Sequence, residues 1–275
     1  MPPGVATGAA AAAARVVAAR SPERRAVVAR NLRRVVGPET SEAELDRLVR
    51  RAFSSYGRYW ADGAVLDLSA PEPFPRGLVV EGERHVRKAV ADGRGAVVAL
   101  PHLGAWEAGA VWAAREGFAL TAVAEPLEPR ELFDWMVEER RALGIRVVPL
   151  GPSAARELLA TVRHGGLVAL LADRDLVGDG VVVDFFGEPA RLPAGPAVLA
   201  LRSGAPILPA AIYMLPGGAH RIVVRPPLLA VREGRLRADV ARVTQQLARE
   251  LEALIRLAPE QWHVFQPNWL ADTPG

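Results

Sequence analysis

The sequence predicts an α/β protein: a central, mostly parallel sheet flanked by helices and preceded by an N-terminal pair of helices. Three observations predict it. From residue 77 onward, short apolar runs alternate with segments of helical periodicity. Before that point the chain carries apolar residues at helical spacing, until a proline-rich stretch interrupts it. Near the end, two apolar runs joined by "PGG" read as a hairpin and lead into a long amphipathic helix.

The elements follow in order. Residues 11–36 and 42–60 have no proline except Pro22 and place Leu45, Leu48, Ala52 and Phe53 on one helical face. Ser41 followed three positions later by Glu44 forms a capping box for the second helix. The stretch "SAPEPFPRG" holds three closely spaced prolines and reads as a linker. Buried strands are then expected at 78–80, 95–100, 119–124, 145–150 and 166–172, with helices at 82–92, 104–116, 129–142 and 152–164 between them. Strands alternating with helices of this length require right-handed crossovers, and so a parallel sheet covered on both faces. Further strands are expected at 181–186, 206–215 and 220–226. A last helix at about 236–257 has Leu236, Val240, Val243, Leu247, Leu251 and Leu254 on one face. We read one domain over 1–275, with a helical region at 1–70 and an α/β core at 77–270.

Composition narrows the function classes. The chain has no cysteine, so disulfides and thiolate metal sites are excluded, and no metal is expected. Its formal net charge is only +3, yet Arg15, Arg20, Arg24, Arg25, Arg30, Arg33 and Arg34 crowd the start with Glu23 alone among them. Such a basic segment suits an anionic membrane surface, a solvated helix face or a nucleic-acid patch, of which the solvated face is the default. No apolar run reaches the ~18–20 residues of a membrane span, and the alanine run 9–14 is too short and too weakly apolar for a signal-peptide core. A soluble or peripheral protein is expected. The G-x-S-x-G elbow, H-E-x-x-H, the Walker loop and a G-x-G-x-x-G after a strand are all missing. Their absence argues against a serine hydrolase or a nucleotide-driven enzyme.

Five histidines are the candidates for proton transfer. His85 lies among charged residues on a helix, His164 precedes Gly165 and Gly166 at a helix end, His220 is placed in a turn, and His263 lies in the C-terminal tail beside Trp262. His102 differs. In "ALPHLGAWEAG" it follows a strand and precedes a helix, at the carboxyl edge of the sheet where open α/β folds place ligands. Glu107 comes five positions later. Within one helix residues five apart diverge, given ~3.6 residues per turn. If the helix starts between the two, Glu107 in its first turn can reach back to His102. A carboxylate bonded to one imidazole nitrogen would leave the other as a general base. Spacing alone leaves this open against the simpler reading, a glutamate complementing a helix dipole beside a polar loop residue.

"HLGAWE" resembles the H-x4-D/E motif of the lysophospholipid and lipid A acyltransferase superfamily. "VAEPLEPRELFDWMVEERRALG" 123–144 and "LLADRDLVGDGVVVDFFGEPARLPAGPAVLALRSGAPILPA" 170–210 resemble its second and third blocks, in that order. The tail "PEQWHVFQPNWL" 259–270 is similar to the ending of the phosphatidylinositol mannoside branch. The motif acid there tends to be aspartate, where this chain has Glu107. The start is also shorter than in typical members, which bears on membrane affinity.

The resemblance implies a glycerol-3-phosphate acyltransferase-like fold. It implies transfer of a long fatty acyl group, palmitoyl in this branch, from acyl-CoA as co-substrate to a mannose hydroxyl of a glycolipid acceptor. That chemistry would take place at an anionic membrane surface, with the protein peripheral on the cytoplasmic face of the cell membrane, without nucleic acid and without a further cofactor. Carried over residue by residue, His102 would deprotonate the hydroxyl and Glu107 would orient His102. Arg140 would pair with phosphate or stabilise charge. Glu125 would bond sugar hydroxyls, and Asp173, Arg174 and Asp175 in "DRD" would position the acceptor. Each has a plain alternative: a surface arginine, a loop cap, a structural ion pair. "FFGEPARLPAGPA" is expected to form a turn and helix start that wall the site.

Overall fold

The computed structural model describes residues 21–65, 77–124, 129–142, 145–151, 153–175 and 177–272. Helix α1 (Pro22–Val36) opens on proline, whose missing N–H has no partner to lose in a first turn, and closes at Gly37, whose N–H returns to the Arg33 carbonyl. Helix α2 (Glu42–Val65) starts with the expected capping box: Ser41 Oγ accepts from the Glu44 N–H at 3.3 Å, and Glu44 accepts from the Ser41 N–H at 3.2 Å. The pair packs through Val28, Leu32, Leu45, Leu48, Val49, Ala52 and Phe53, with Phe265 of the tail against them. Arginines of α1 meet acids here: Arg25 with Asp46, Arg33 with Glu42, Arg30 with Asp272, and Arg34 with both Asp272 and Glu188. Much of the basic character read from the sequence is thus neutralised within the protein. Arg15 and Arg20 lie outside the described residues, as do the alanine run and most of the proline-rich linker.

The core alternates as expected: β1 (Leu78–Glu81), α3 (Glu83–Ala91), β2 (Ala96–Leu100), α4 (Trp106–Arg115), β3 (Leu120–Ala124), α5 (Arg130–Ala142), β4 (Ile145–Pro149), α6 (Ala154–Arg163) and β5 (Leu167–Leu171). After β6 (Val181–Phe185) and β7 (Glu188–Leu192) come α7 (Gly195–Ser203), β8 (Ile207–Met214), β9 (His220–Val224) and α8 (Leu236–Arg256). The main sheet runs β1-β9-β8-β2-β5-β3-β4, parallel except for the β8–β9 hairpin.

Two expectations change. "FFGEPARLPAGPA" is not only a turn and helix start, because residues 188–192 form β7, paired antiparallel with β6 in a separate ribbon. Pro189 hides that strand from a propensity reading, but a two-stranded ribbon always has a free edge for it. His220 opens β9 and is buried rather than sitting in a turn.

Strand alternation explains the two faces. On β2 and β8, Val97, Ala99, Ile207, Ala211 and Tyr213 face a cluster shared with α6, α7 and α8. Ala96, Leu100, Leu208, Ala210 and Ile212 face the other cluster, shared with α3 and α4. With both sides covered, the open ground is at strand ends. The edge that matters is where β2 and β5 lie side by side, Leu100 opposite Leu171. The residues that follow, Pro101–His102 and Ala172–Asp173, leave the sheet together.

Candidate active site

His102 sits on a five-residue loop, 101–105, between β2 and α4 that backbone bonds hold from both sides. The Gly104 N–H donates to the Gln261 carbonyl (2.9 Å) and the Ala105 N–H to the Ile212 carbonyl (3.1 Å). The His102 carbonyl accepts from the His263 N–H at 2.7 Å. Gly104 has φ +64°, and a side chain there would collide with the Ile212 carbonyl, so the residue two after the histidine must be glycine.

Asp173 is the carboxylate that meets the histidine. Its Oδ1 lies 2.6 Å from His102 Nδ1, and its Oδ2 accepts from the His102 backbone N–H (2.9 Å) and the Trp262 indole N–H (2.6 Å). Asp173 is wholly buried. Burial pushes its carboxyl up, but the His102 charge and the converging N–H donors outweigh that and hold it below the ordinary aspartate range. With Asp173 ionised, the Nδ1 proton faces it and Nε2 is the nitrogen left for proton transfer.

Glu107 does fall in the first turn of α4, as spacing required, yet it does not grip His102. Its Oε1 accepts from the Tyr59 hydroxyl (2.7 Å) and from Arg140 (3.3 Å), while Oε2 has no hydrogen-bond partner among the described residues. The expected His102–Glu107 contact is therefore not made: the carboxylate bonded to the imidazole follows β5 and does not come from the start of α4. The reason is topological, since parallel pairing of β2 with β5 brings Asp173 to Nδ1 before a helix turn can deliver Glu107. Burial raises the Glu107 carboxyl above its usual value, against the opposing effects of Tyr59 and Arg140. Burial, followed by the Glu107 charge, also raises the Tyr59 phenol.

The other candidates divide. Arg140, near the end of α5, joins the site through Glu107. Arg174 follows Asp173 and is half-buried. Asp175 does not face the base. Its carboxylate accepts from the N–H groups of Val177, Gly178 and Gly180 and so shapes the loop ahead of β6. Glu125 lies outside the described residues.

Sequence reasoning did not single out Tyr59, Trp262 or Asn268, and it set His263 aside as a tail residue. Asn268 donates to the Asp173 carbonyl at 3.0 Å. His263 is buried with its Nε2 3.0 Å from Ser55 Oγ, and burial pushes its imidazole down to about 3. An aromatic wall formed by Tyr59, Trp106 and His263 flanks His102, with Trp106 centred 4.4 Å from Tyr59 and 6.0 Å from His102. The tail "PEQWHVFQPNWL" was the available signal, since it packs polar and aromatic residues together after the last helix. Among the described residues no group of histidines and acids forms a metal site, and no helix is long and apolar enough to cross a membrane.

The H-x4-E motif that this site displays at the carboxyl edge of a parallel sheet is the one that resembles the lysophospholipid and lipid A acyltransferases, and sequence comparison agrees. The profile of the bacterial lipid A biosynthesis acyltransferase family matches residues 1–271, and the chain belongs to that family. It is 40% identical over 248 residues to the phosphatidylinositol mannoside acyltransferase of Mycobacterium tuberculosis (strain ATCC 25618 / H37Rv), covering 88% of this chain and 76% of that one. It is 39% identical over 276 residues to the protein of the same name from Mycolicibacterium smegmatis, covering 99% and 88%. A lipid A biosynthesis acyltransferase of Haemophilus influenzae is 21% identical over 227 residues, covering 82% and 69%.

Proposed function

We propose that this acyltransferase moves a long-chain fatty acyl group, palmitoyl, from acyl-CoA to a mannose hydroxyl of a phosphatidylinositol mannoside. The observation that carries the mechanism is the His102–Asp173 bond at the sheet's carboxyl edge. Asp173 fixes the imidazole with Nε2 as base. His102 Nε2 takes the proton of the mannose hydroxyl as that oxygen attacks the thioester carbonyl. The tetrahedral intermediate collapses, the C–S bond breaks, and the imidazolium returns the proton to the departing thiolate. The products are an ester and free CoA, with no covalent enzyme intermediate, which suits a chain without cysteine. Arg140, held by Glu107, is the cation for charge on donor or acceptor. The acceptor reading draws support from the similarity to the mycobacterial and mycolicibacterial enzymes. We place the protein at the cytoplasmic face of the cell membrane, as a peripheral protein meeting an anionic surface, where its lipid acceptor would lie.

The test is transfer from radiolabelled palmitoyl-CoA to a panel of phosphatidylinositol mannosides, lysophospholipids and lipid A precursors, alongside His102→Ala. Transfer to the mannoside that falls by at least ~10²-fold in His102→Ala is the expected result. Transfer that survives the substitution sinks the mechanism. Preference for a lipid A precursor overturns the acceptor, and no transfer with lipid binding intact indicates a silent homologue.

A further inference from the structure

A wholly buried carboxylate stays charged only if donors replace its water. For Asp173 two of those donors belong to His102 itself, and the third is the Trp262 indole N–H at 2.6 Å. The ring of Trp262 is fully buried beside Phe185, Phe186 and Trp269, at 6.1–6.2 Å between centroids. A phenylalanine would fill that packing role, so packing does not account for the polar edge. Trp269, its neighbour in the same core, gives its N–H to the Phe185 carbonyl at 2.9 Å and not to Asp173. The chain around Trp262 is fixed to the histidine loop as well. Trp262 bridges to Leu103, the His263 N–H holds the His102 carbonyl, and Asn268 holds the Asp173 carbonyl.

We propose that Trp262 is a positioning residue for the acyl-transfer reaction: its indole N–H holds the Asp173 carboxylate in the orientation in which it grips His102 Nδ1. This rests on the reading of His102 as the base. The C-terminal tail then completes a relay of three residues from three separate parts of the chain. The titratable groups bearing on Asp173 and His102 are each other and His263 from the tail, which burial keeps neutral; Arg174 adjoins Asp173 in the chain, and Glu107 and Arg140 hold each other on α4 and α5. Removing one donor from the carboxylate makes the His–Asp pair hold a proton more tightly. The sign is fixed, because an anion with fewer N–H bonds is more basic.

The experiment follows the His102 ring by nitrogen-15 NMR titration in the wild type, Trp262→Phe and Trp269→Phe, with acyl-transfer rates against pH in parallel. In Trp262→Phe the His–Asp pair is expected to hold its proton to higher pH than in the wild type. The acid limb of the rate profile moves with it, kcat falls, and KM for the acceptor holds. Trp269→Phe, which removes an indole bond of similar length from the same core, leaves the transition in place. No rise in Trp262→Phe, or an equal rise in Trp269→Phe, overturns the proposal. Should Trp262→Phe fail to fold, β-(3-benzothienyl)alanine at position 262 keeps the ring's size and lacks the donor, and the same two outcomes decide. The titration needs no substrate, so a wild type inactive on every acceptor would refute the acyl-transfer reading while the NMR result still decides the role of Trp262.

Discussion

Replacing Asp173 with Asn changes one oxygen to an amide and sets three donors against a single acceptor. In the wild type the two carboxylate oxygens receive His102 Nδ1–H at 2.6 Å, the His102 backbone N–H at 2.9 Å and the Trp262 indole at 2.6 Å. An Asn that keeps its oxygen toward the backbone and indole turns its NH2 toward Nδ1. The imidazole must then accept at Nδ1 and carry its proton on Nε2, where the proposed mechanism sends the hydroxyl proton. The opposite orientation faces NH2 against two buried donors, at about 1–3 kcal/mol for each one left unpaired. The first orientation wins, and the base is held in the wrong tautomer with no anion to stabilise its charged form. The same exchange in a Ser-His-Asp triad lowers kcat by roughly 10⁴, and we expect a fall of about 10³–10⁴ in kcat/KM here, or ~4–5.5 kcal/mol. The assay is kcat/KM with radiolabelled palmitoyl-CoA from pH 5 to 9, with circular dichroism to show that the variant is folded. A folded Asp173→Asn within about 10-fold of the wild type would refute the reasoning.

Other outcomes follow from the same geometry. Glu107→Gln keeps the Tyr59 bond and replaces a carboxyl that burial already disfavours as an anion, so kcat/KM should fall by about 10-fold at most; a loss larger than that of Asp173→Asn would return the orienting role to Glu107. Gly104→Ala should abolish acyl transfer and lower Tm, because its side chain meets the Ile212 carbonyl and its φ is positive; thermal melts and rates check it. His263 is neutral when folded but takes a proton below its ordinary value of ~6.5 when unfolded. Between that value and about 3 the unfolded state binds more protons, so stability should fall as pH drops through this window. His263→Gln should flatten that dependence by up to about one proton in pH-dependent denaturant titrations.

Much of the architecture was legible because it rests on local rules. Periodicity located the helices and strands that build both faces of the sheet, and the Ser41–Glu44 pair set the start of α2. The hairpin after β8 announced itself through "PGG". Strand β7 escaped because proline breaks the local rule while the ribbon edge tolerates it. His102 stood out for the same local reason: a polar residue just after an apolar strand lies at the sheet's carboxyl edge. Its partner was not. Glu107 had the right spacing for a single turn of chain, and spacing is all that one segment can report.

The sequence by itself determined all the strands and helices but β7, the place of the histidine at the sheet edge and, through its motif order, the acyltransferase family. Only the tertiary structure decided which acid serves that histidine. Asp173 reaches His102 across 71 positions because β2 and β5 pair in register, and Trp262 reaches Asp173 across a further 89 because the tail folds back over the strand ends. Hydrogen bonds depend on distance in space, and a parallel sheet makes neighbours of strand ends that the chain keeps far apart.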